Sequence, residues 1–500
     1  MTLDRALVGL LAIIVPAKVL LMLVGQRYVD GDEAVIGVMA MHIARGAEFP
    51  FFFWGQPYGG GGALEAYMAV VPFSIFGPSS LGIRFSVLFL SFTALVLTYS
   101  LVKRLEGQQA AILCTVLAAT TSGLVEWFSK SRGGYVESSL IMLLILDIVF
   151  RIQTAPKASL WRPCLVGLLC GVSYYIQELA LPFIALTATV LVFACADKRP
   201  AASLTAFTLG ALIAFSPLLA YNYSHNWANF AYIRRAAEPL APSLGRIAYA
   251  LTKRLPFLFQ PLNFDGVPLQ LGWQPRAEAA VWLTLTGVAG VSAIRRWLRG
   301  SRLELVQATL AAYVFLFLPY ALLSRRADTS PRYYFTLFIP IIILSGIWLA
   351  RRLYGPGTHA IWQRFGAAFC ALFLIASGLW THGNAFRTNY VTDDVWTGAR
   401  SESRRTDGAD LIRVIDYLRG HDIDAVRSPY FSAWRIVFES DEQILASSAG
   451  LQPGAMRYPA FDEEVRLSLR VAWVLHCDSL HNNALPSSRR RRFGDFCVYL

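Results

Sequence analysis

The chain has 500 residues, of which 55% are hydrophobic and 16% charged, with a mean hydropathy of +0.46 and a formal net charge of +12. A soluble domain carries about 25% charged residues, so this composition excludes an ordinary soluble protein and points to one built largely in lipid. The excess of positive charge does not imply nucleic acid, because no basic stretch interleaved with aromatics stands out.

Apolar runs near 6–25, 81–102, 108–125, 138–152, 163–179, 181–196, 202–221, 278–295, 303–323, 333–350 and 365–382 predict about eleven transmembrane helices. The runs at 138–152 and 181–196 are short for a bilayer. The first run lacks a small-x-small cleavage site before Gln26, so it reads as an uncleaved span rather than a secretory signal. Lys103 and Arg104, Arg151, Lys157 and Arg162, Lys198 and Arg199, Arg295 and Arg296, and Arg351 and Arg352 follow alternate spans. All fall on one side, which the positive-inside rule makes cytoplasmic. The N-terminus is then inside, and the first loop and the tail from about 383 lie outside.

Two outer loops are long. In the first, about 26–80, Ala34 to Ile43 predicts an amphipathic helix and Leu64 to Phe76 a second one, ended by Gly77-Pro78. Such helices lie along the membrane surface. The second, about 222–277, is basic through Arg234, Arg235, Arg246, Lys253 and Arg254. It reads either as a loop long enough to escape the charge rule or as a contact for phosphate or lipid headgroups.

The tail, 383–500, is charged and has no span, which divides the chain into a membrane segment, 1–382, and an external domain. Leu411, Ile412, Ile415 and Leu418 recur at helical spacing, with Asp410 as a candidate cap. Gln443 to Ser447, Val471 to His476 and Phe496 to Leu500 predict short strands. Together they describe a small α/β domain. Arg489 to Arg492 reads as a solvated turn. Five of the seven cysteines lie in or beside spans, whereas Cys477 and Cys497 could pair in an oxidising compartment.

The cluster Asp30-Gly31-Asp32-Glu33 follows the first span. Carboxylates at a membrane boundary are costly and need a reason. Helix capping is one, and chemistry is another. On the same predicted side stand Gln56-Pro57-Tyr58, Glu65, Lys130, Arg132 to Glu137 with Tyr135 inside it, Arg325-Arg326, and Pro331-Arg332-Tyr333-Tyr334. Transfer of a group from a lipid phosphate needs this mixture. A carboxylate accepts the proton of an incoming hydroxyl, and cations stabilise the departing phosphate. Each arginine also suits a snorkelling interface anchor. Gly59 to Gly62 is not a phosphate loop, since it lacks the Lys-Ser/Thr that follows one. The histidines are scattered, with no zinc pattern. No metal ligand is assigned, and a divalent ion shared by Asp30, Asp32 and Glu137 stays open.

At these residues the chain resembles the polyprenyl-phosphate-sugar-dependent glycosyltransferases of the GT-C fold, the superfamily of protein O-mannosyltransferases and the lipid A aminoarabinose transferase (glycosyltransferase family 39-like). The elements that match are Asp32-Glu33, Gln56-Pro57-Tyr58, Glu65, Arg132 to Glu137, and Arg332-Tyr333. The resemblance implies an all-α polytopic, GT-C-like fold with juxtamembrane helices. It implies inverting sugar transfer from a polyprenyl-phosphate donor at the outer face of the bacterial cytoplasmic membrane. The acceptor would be a lipid-linked glycan, a cell-envelope component or a protein. It makes Asp32 the first candidate base, with Asp30 a competitor and Glu33 an acceptor-positioning residue or a helix cap. Glu65 and Glu137 would orient sugar or acceptor, and Arg132 and Arg332 would hold the lipid phosphate, with Lys130 and Arg326 as substitutes. Two other classes remain open on the sequence: a transporter or lipid flippase, and a non-catalytic assembly partner.

Overall fold

The computed structural model describes the chain except residues 1–3, 26–28, 56–62, 158, 197–198, 231–243, 250, 253–255, 257–272, 324–334, 356–359, 389–407, 450, 452–456 and 478–489. Helices stand at all the predicted runs. They are α1 (Arg5–Leu20), α4 (Ser80–Glu106), α5 (Gln108–Thr120), α7 (Tyr135–Thr154), α8 (Trp161–Ile176), α9 (Leu181–Ala194), α10 (Pro200–Ser224), α12 (Trp273–Leu298), α13 (Leu305–Leu323), α14 (Phe338–Tyr354) and α15 (Ile361–Thr388). Between them lie α2 (Gly31–Ala44), α3 (Ala63–Phe76), the short α6 (Ser122–Trp127) and α11 (Leu244–Tyr249). Seven of the described helices are long and apolar enough to cross a membrane. The expected count of eleven is therefore not confirmed. Helices α5, α8 and α9 have 13, 16 and 14 residues, and α7 carries Glu137, Asp147 and Arg151.

The bundle turns apolar side chains outward as well as inward. Ile13, Phe85, Phe89, Ile213, Leu316, Phe369 and Leu372 are all more than half exposed, which in water would be a large apolar patch and in lipid is the expected surface. Helices α8 and α10 touch backbone to backbone. A Cβ on Gly167 would fall 1.9 Å from the Phe207 carbonyl oxygen, and one on Gly210 2.1 Å from that of Cys164. Small residues at such crossings are how membrane helices gain packing contact.

The two ends of the bundle differ in chemistry. At one end Glu106, closing α4, accepts from Arg351 Nε and Gln307 Nε2, each at 2.8 Å. Glu304 accepts there from Arg296 Nε at 2.8 Å and Arg351 Nη2 at 2.9 Å. The basic residues that follow the spans are thus tied to the ends of α4, α12 and α14. At the other end α4 and α7 begin, and there α2 and α3 pack.

The C-terminal domain contains α16 (Gly408–Arg419), β1 (Ala425–Arg427), α17 (Tyr430–Glu439), β2 (Leu445–Ser447), α18 (Pro459–Leu467), β3 (Val471–His476), β4 (Arg490–Phe493) and β5 (Phe496–Tyr499). Its sheet has the order β2-β1-β3-β5-β4. Strand β1 runs parallel to β2 and β3, and β5 antiparallel to β3 and β4. Two expectations need correction. Arg490 to Arg492 of the arginine run lie in the edge strand β4 rather than a turn, where their charges blunt an exposed edge. Asp410 lies inside the first turn of α16 and pairs with Arg413 instead of capping from outside. Cys477 and Cys497 form a disulfide with Cα atoms 5.0 Å apart.

A larger correction concerns α2. The sequence reading makes it an amphipathic surface helix, yet Gly31, Glu33 to Met41 and Ile43 are all buried. A helix apolar on every side belongs in a core. This one lies between α3 and α17, in an apolar core that continues through Leu411, Val414, Val437, Val474 and Val498 of the C-terminal domain. Helix α3 keeps a two-sided character, with Ala66, Ala69 and Phe73 inside and Val71, Ile75 and Phe76 exposed. Polar contacts fasten the same junction. His42 Nε2 lies 2.5 Å from Glu442 Oε1, Arg45 pairs with Asp441 and Glu442, and Trp54 stacks on Tyr458 at 4.2 Å.

Gly31 is where α2 and α17 come closest. A Cβ there would stand 2.5 Å from Phe431 Cδ1 and 2.7 Å from its Cα. The second of these is backbone and cannot rotate away. Gly31→Ala is expected to force the two helices apart and cost about 1–3 kcal/mol. A lowered thermal midpoint and faster proteolytic release of the C-terminal domain in detergent would show it, and an unchanged midpoint would refute the close approach.

Candidate active site

Asp30 is the N-cap of α2. Its Oδ1 accepts from the Glu33 backbone N–H at 2.9 Å, and Glu33 Oε2 accepts in return from the Asp30 N–H at 3.0 Å. This reciprocal capping satisfies two N–H groups that the helix leaves open. Each carboxylate then meets a buried cation. Asp30 Oδ2 lies 2.5 Å from Arg132 Nε, 2.5 Å from Arg132 Nη2 and 3.6 Å from Lys130 Nζ. Glu33 receives Arg84 Nε on Oε1 at 2.7 Å and Arg84 Nη2 on Oε2 at 2.6 Å, a two-pronged pair with both side chains almost wholly buried. The Ser131 backbone N–H adds a second donor to Glu33 Oε1 at 3.3 Å.

Burial alone would raise the Asp30 carboxyl. The Arg132 and Lys130 charges and the Glu33 N–H outweigh it and hold the group at about 2. The folded value lies below the ordinary 3.8, so its stabilisation is present above that value and drains away as pH falls towards 2.

The loop carrying Lys130 and Arg132 is itself clamped. Gly133 and Gly134 adopt φ of 96° and 86°, the left-handed region that favours glycine. Their N–H groups and the start of α7 form a small anion cradle. Glu65 of α3 fills it, accepting from Gly133 N at 3.0 Å, Gly134 N at 2.8 Å and Ser131 Oγ at 2.5 Å. Gln177, which ends α8, donates to the Gly133 carbonyl at 3.4 Å. Glu137 stands behind in the first turn of α7, buried beside Glu65. Burial pushes both glutamates above the ordinary carboxylate range. For Glu65 the donated hydrogen bonds work against it, and for Glu137 the neighbouring Glu65 charge adds to it. Tyr135 packs edge-on against Phe335 at 5.5 Å.

Asp32 is different. It stands between Asp30 and Glu33 in the first turn of α2 and is half-buried, and its Oδ1 accepts from the Tyr430 hydroxyl at 2.8 Å. Arg457 Nε donates to the same tyrosine oxygen at 3.2 Å.

The fold therefore brings together Asp30, Asp32, Glu33, Glu65, Lys130, Arg132, Tyr135 and Glu137. Gln56, Tyr58, Arg326, Arg332 and Tyr333 lie outside the described residues, as do Gly59 to Gly62 and Arg234, Arg235, Lys253 and Arg254. Sequence reasoning missed Arg84, Tyr430 and Arg457. Arg84 had a signal, being an arginine just inside an apolar span. Lys18 had the same one. It is buried in α1 and donates to Ser91 Oγ at 2.8 Å, with the Phe128 ring 5.5 Å away. Among the described residues no group of three or more His, Cys, Asp or Glu side chains is placed to hold a metal ion. Asp30 in particular is already committed to two cations.

Removing one partner of a buried pair strands the other charge. Glu33→Gln is expected to cost about 3–5 kcal/mol through Arg84, read as a fall in thermal midpoint, whereas Asp32→Asn at its partly exposed position should leave the midpoint within a few degrees of wild type. Equal losses in the two variants would overturn this division between structural and available carboxylates.

The model of the family described as dolichyl-phosphate-mannose-protein mannosyltransferase matches residues 63–221. No curated protein matches the chain. Among solved structures the chain is similar to ArnT from Cupriavidus metallidurans. The form bound to undecaprenyl phosphate aligns with a TM-score of 0.62 at 15% identity, covering 98% of each chain. The apo form aligns with a TM-score of 0.61 at 15% identity, covering 99% of this chain and 98% of that one. The chain thus shares the fold of ArnT over nearly its whole length and is a multi-pass membrane protein by its apolar helices.

Proposed function

We propose that the protein transfers a sugar, hexosyl or pentosyl, from a polyprenyl-phosphate donor to an acceptor hydroxyl, with inversion at the anomeric carbon. The reaction is assigned to the outer face of the bacterial cytoplasmic membrane, with residues 383–500 as an extracytoplasmic α/β domain. The basic residues at the opposite end of the bundle support that orientation. The family match over 63–221 and the ArnT-like fold, seen in that protein with undecaprenyl phosphate bound, support the donor class.

The observation that carries the assignment is the contrast among five carboxylates at one site. Asp30, Glu33, Glu65 and Glu137 are buried, whereas Asp32 beside them is partly exposed. In this reading Asp32 accepts the proton of the acceptor hydroxyl. The acceptor oxygen attacks the anomeric carbon from the face opposite the phosphate. The bond from that carbon to the phosphate oxygen breaks, and the lipid phosphate leaves with the electron pair. Arg132 and Lys130 lie next to Asp30 and supply positive charge for the leaving group, and Arg332 or Arg326 would add to it. A charge on the phosphate competes with Asp30 for the same guanidinium, so donor binding is linked to the capping network.

The test uses purified protein, a panel of polyprenyl-phosphate sugars and a crude membrane acceptor extract, and follows release of free polyprenyl phosphate. Wild type should release it, and Asp32→Asn at matched folding should be slower by about 10²–10⁴-fold. Equal rates would move the base to Asp30 or elsewhere. No release with any donor would overturn sugar transfer and favour lipid translocation instead.

A further inference from the structure

Tyr430 belongs to the C-terminal domain, yet its hydroxyl ends on Asp32, 398 positions away in sequence. The contact is tightly held. Tyr430 is the first residue of α17, next to Phe431, whose backbone presses on Gly31 so closely that no Cβ fits there. The N-termini of α2 and α17 therefore meet at the Asp32 carboxylate, and both helix dipoles favour its negative charge.

The phenol is also oriented from behind. Arg457 Nε donates to the tyrosine oxygen at 3.2 Å, so the oxygen accepts from the guanidinium and directs its own proton to Asp32. The guanidinium is 5.2 Å from the ring centres of both Tyr430 and Phe53. It is thereby braced against the 51–55 segment of the first loop. Burial, reinforced by Asp32 and opposed by Arg457, keeps the phenol protonated and so a donor.

We propose that Tyr430, oriented by Arg457, is a positioning residue for the Asp32 carboxylate, so that the seating of the C-terminal domain sets the geometry of the base. A hydrogen bond from a phenol held in this way fixes the orientation of the carboxylate, and misplacement of a catalytic group by even 1 Å is costly. The proposal rests on the assignment of Asp32 as base, and its test separates the two ideas.

The full-length protein is compared with Tyr430→Phe, Arg457→Gln, Asp32→Asn and the Asp32→Asn/Tyr430→Phe double variant, with thermal midpoints measured alongside. Tyr430→Phe removes one oxygen and is expected to lower kcat about tenfold, with KM for the polyprenyl-phosphate sugar unchanged within twofold. Arg457→Gln should lower kcat in the same sense but less. In the double variant the tyrosine change should add nothing to the Asp32→Asn loss, because it acts through that carboxylate. Wild-type kcat in Tyr430→Phe, beside an impaired Asp32→Asn, overturns the positioning role and leaves the base assignment intact. So does a rise in KM alone, or an equal tyrosine effect with and without Asp32. Wild-type kcat in Asp32→Asn overturns the base assignment and this proposal with it.

Discussion

The N-terminus of α2 is a place where charge has been put into an apolar core, and the surrounding structure follows from the need to satisfy it. An isolated ion in such a setting costs several kcal/mol, and a paired one is tolerated only when geometry and extra hydrogen bonds are good. Here Asp30 and Glu33 cap each other's backbone, and Glu33 takes Arg84 in a two-pronged pair while Asp30 takes Arg132 and Lys130. Arg84 is at the start of α4, Lys130 and Arg132 precede α7, and the glutamate that clamps their loop comes from α3. One helix start thus fixes three other elements of the membrane segment. The interaction orders these parts rather than adding much net stability, since buried ion pairs and apolar replacements of equal volume are often close in energy.

The same cluster explains why acids of one type have separate roles. Asp30 is held at about 2 by its cations and makes a poor proton acceptor. Glu65 is spent on backbone N–H groups. Glu137 is kept above the ordinary range by burial and by its neighbour, which leaves it as the natural holder of a proton between the two. Asp32 differs in being partly exposed and in accepting from Tyr430, which comes from the far end of the chain. Chemical difference among identical groups is what an acid–base site requires.

How much of this was legible in the sequence depended on the range of the interaction. The helices at the apolar runs were legible because lipid imposes a length and a composition. The strands at Val471 to His476 and Phe496 to Leu500 were legible because β-branched and aromatic residues cluster there. Of the polar residues singled out in the first two loops, the fold brings Asp30, Asp32, Glu33, Glu65, Lys130, Arg132, Tyr135 and Glu137 together, whereas Gln56 and Tyr58 lie outside the described residues. Helix α2 was misread for a reason that its residues already contained. Its run from Ala34 to Met41 is apolar on all faces, which is the mark of a core helix, and only its place beside a span suggested a surface one. Arg84 lies within an apolar run, and its partner Glu33 is 51 residues away in sequence, so no local pattern pairs them. Tyr430 and Arg457 had no local signal. Neither side chain sits in a motif, and their meaning arises only when α17 and the segment before α18 bring them against Asp32 and Phe53.

That last contact changes what the C-terminal domain is for. A domain merely tethered after the membrane segment would bring its own core and touch the rest through a polar rim. In this protein α2 and α3 share one continuous apolar core with α16, α17 and the sheet, so neither side would be well packed alone. The residues that carry the ion network are on the membrane side of that core, and the tyrosine that meets Asp32 is on the other. Removal or loosening of the domain would therefore expose the apolar faces of α2 and leave Asp32 without its donor in one event. The stability of the junction and the geometry of the carboxylate are coupled through a single helix. This coupling makes the C-terminal domain a structural part of the site and not only a cover over it.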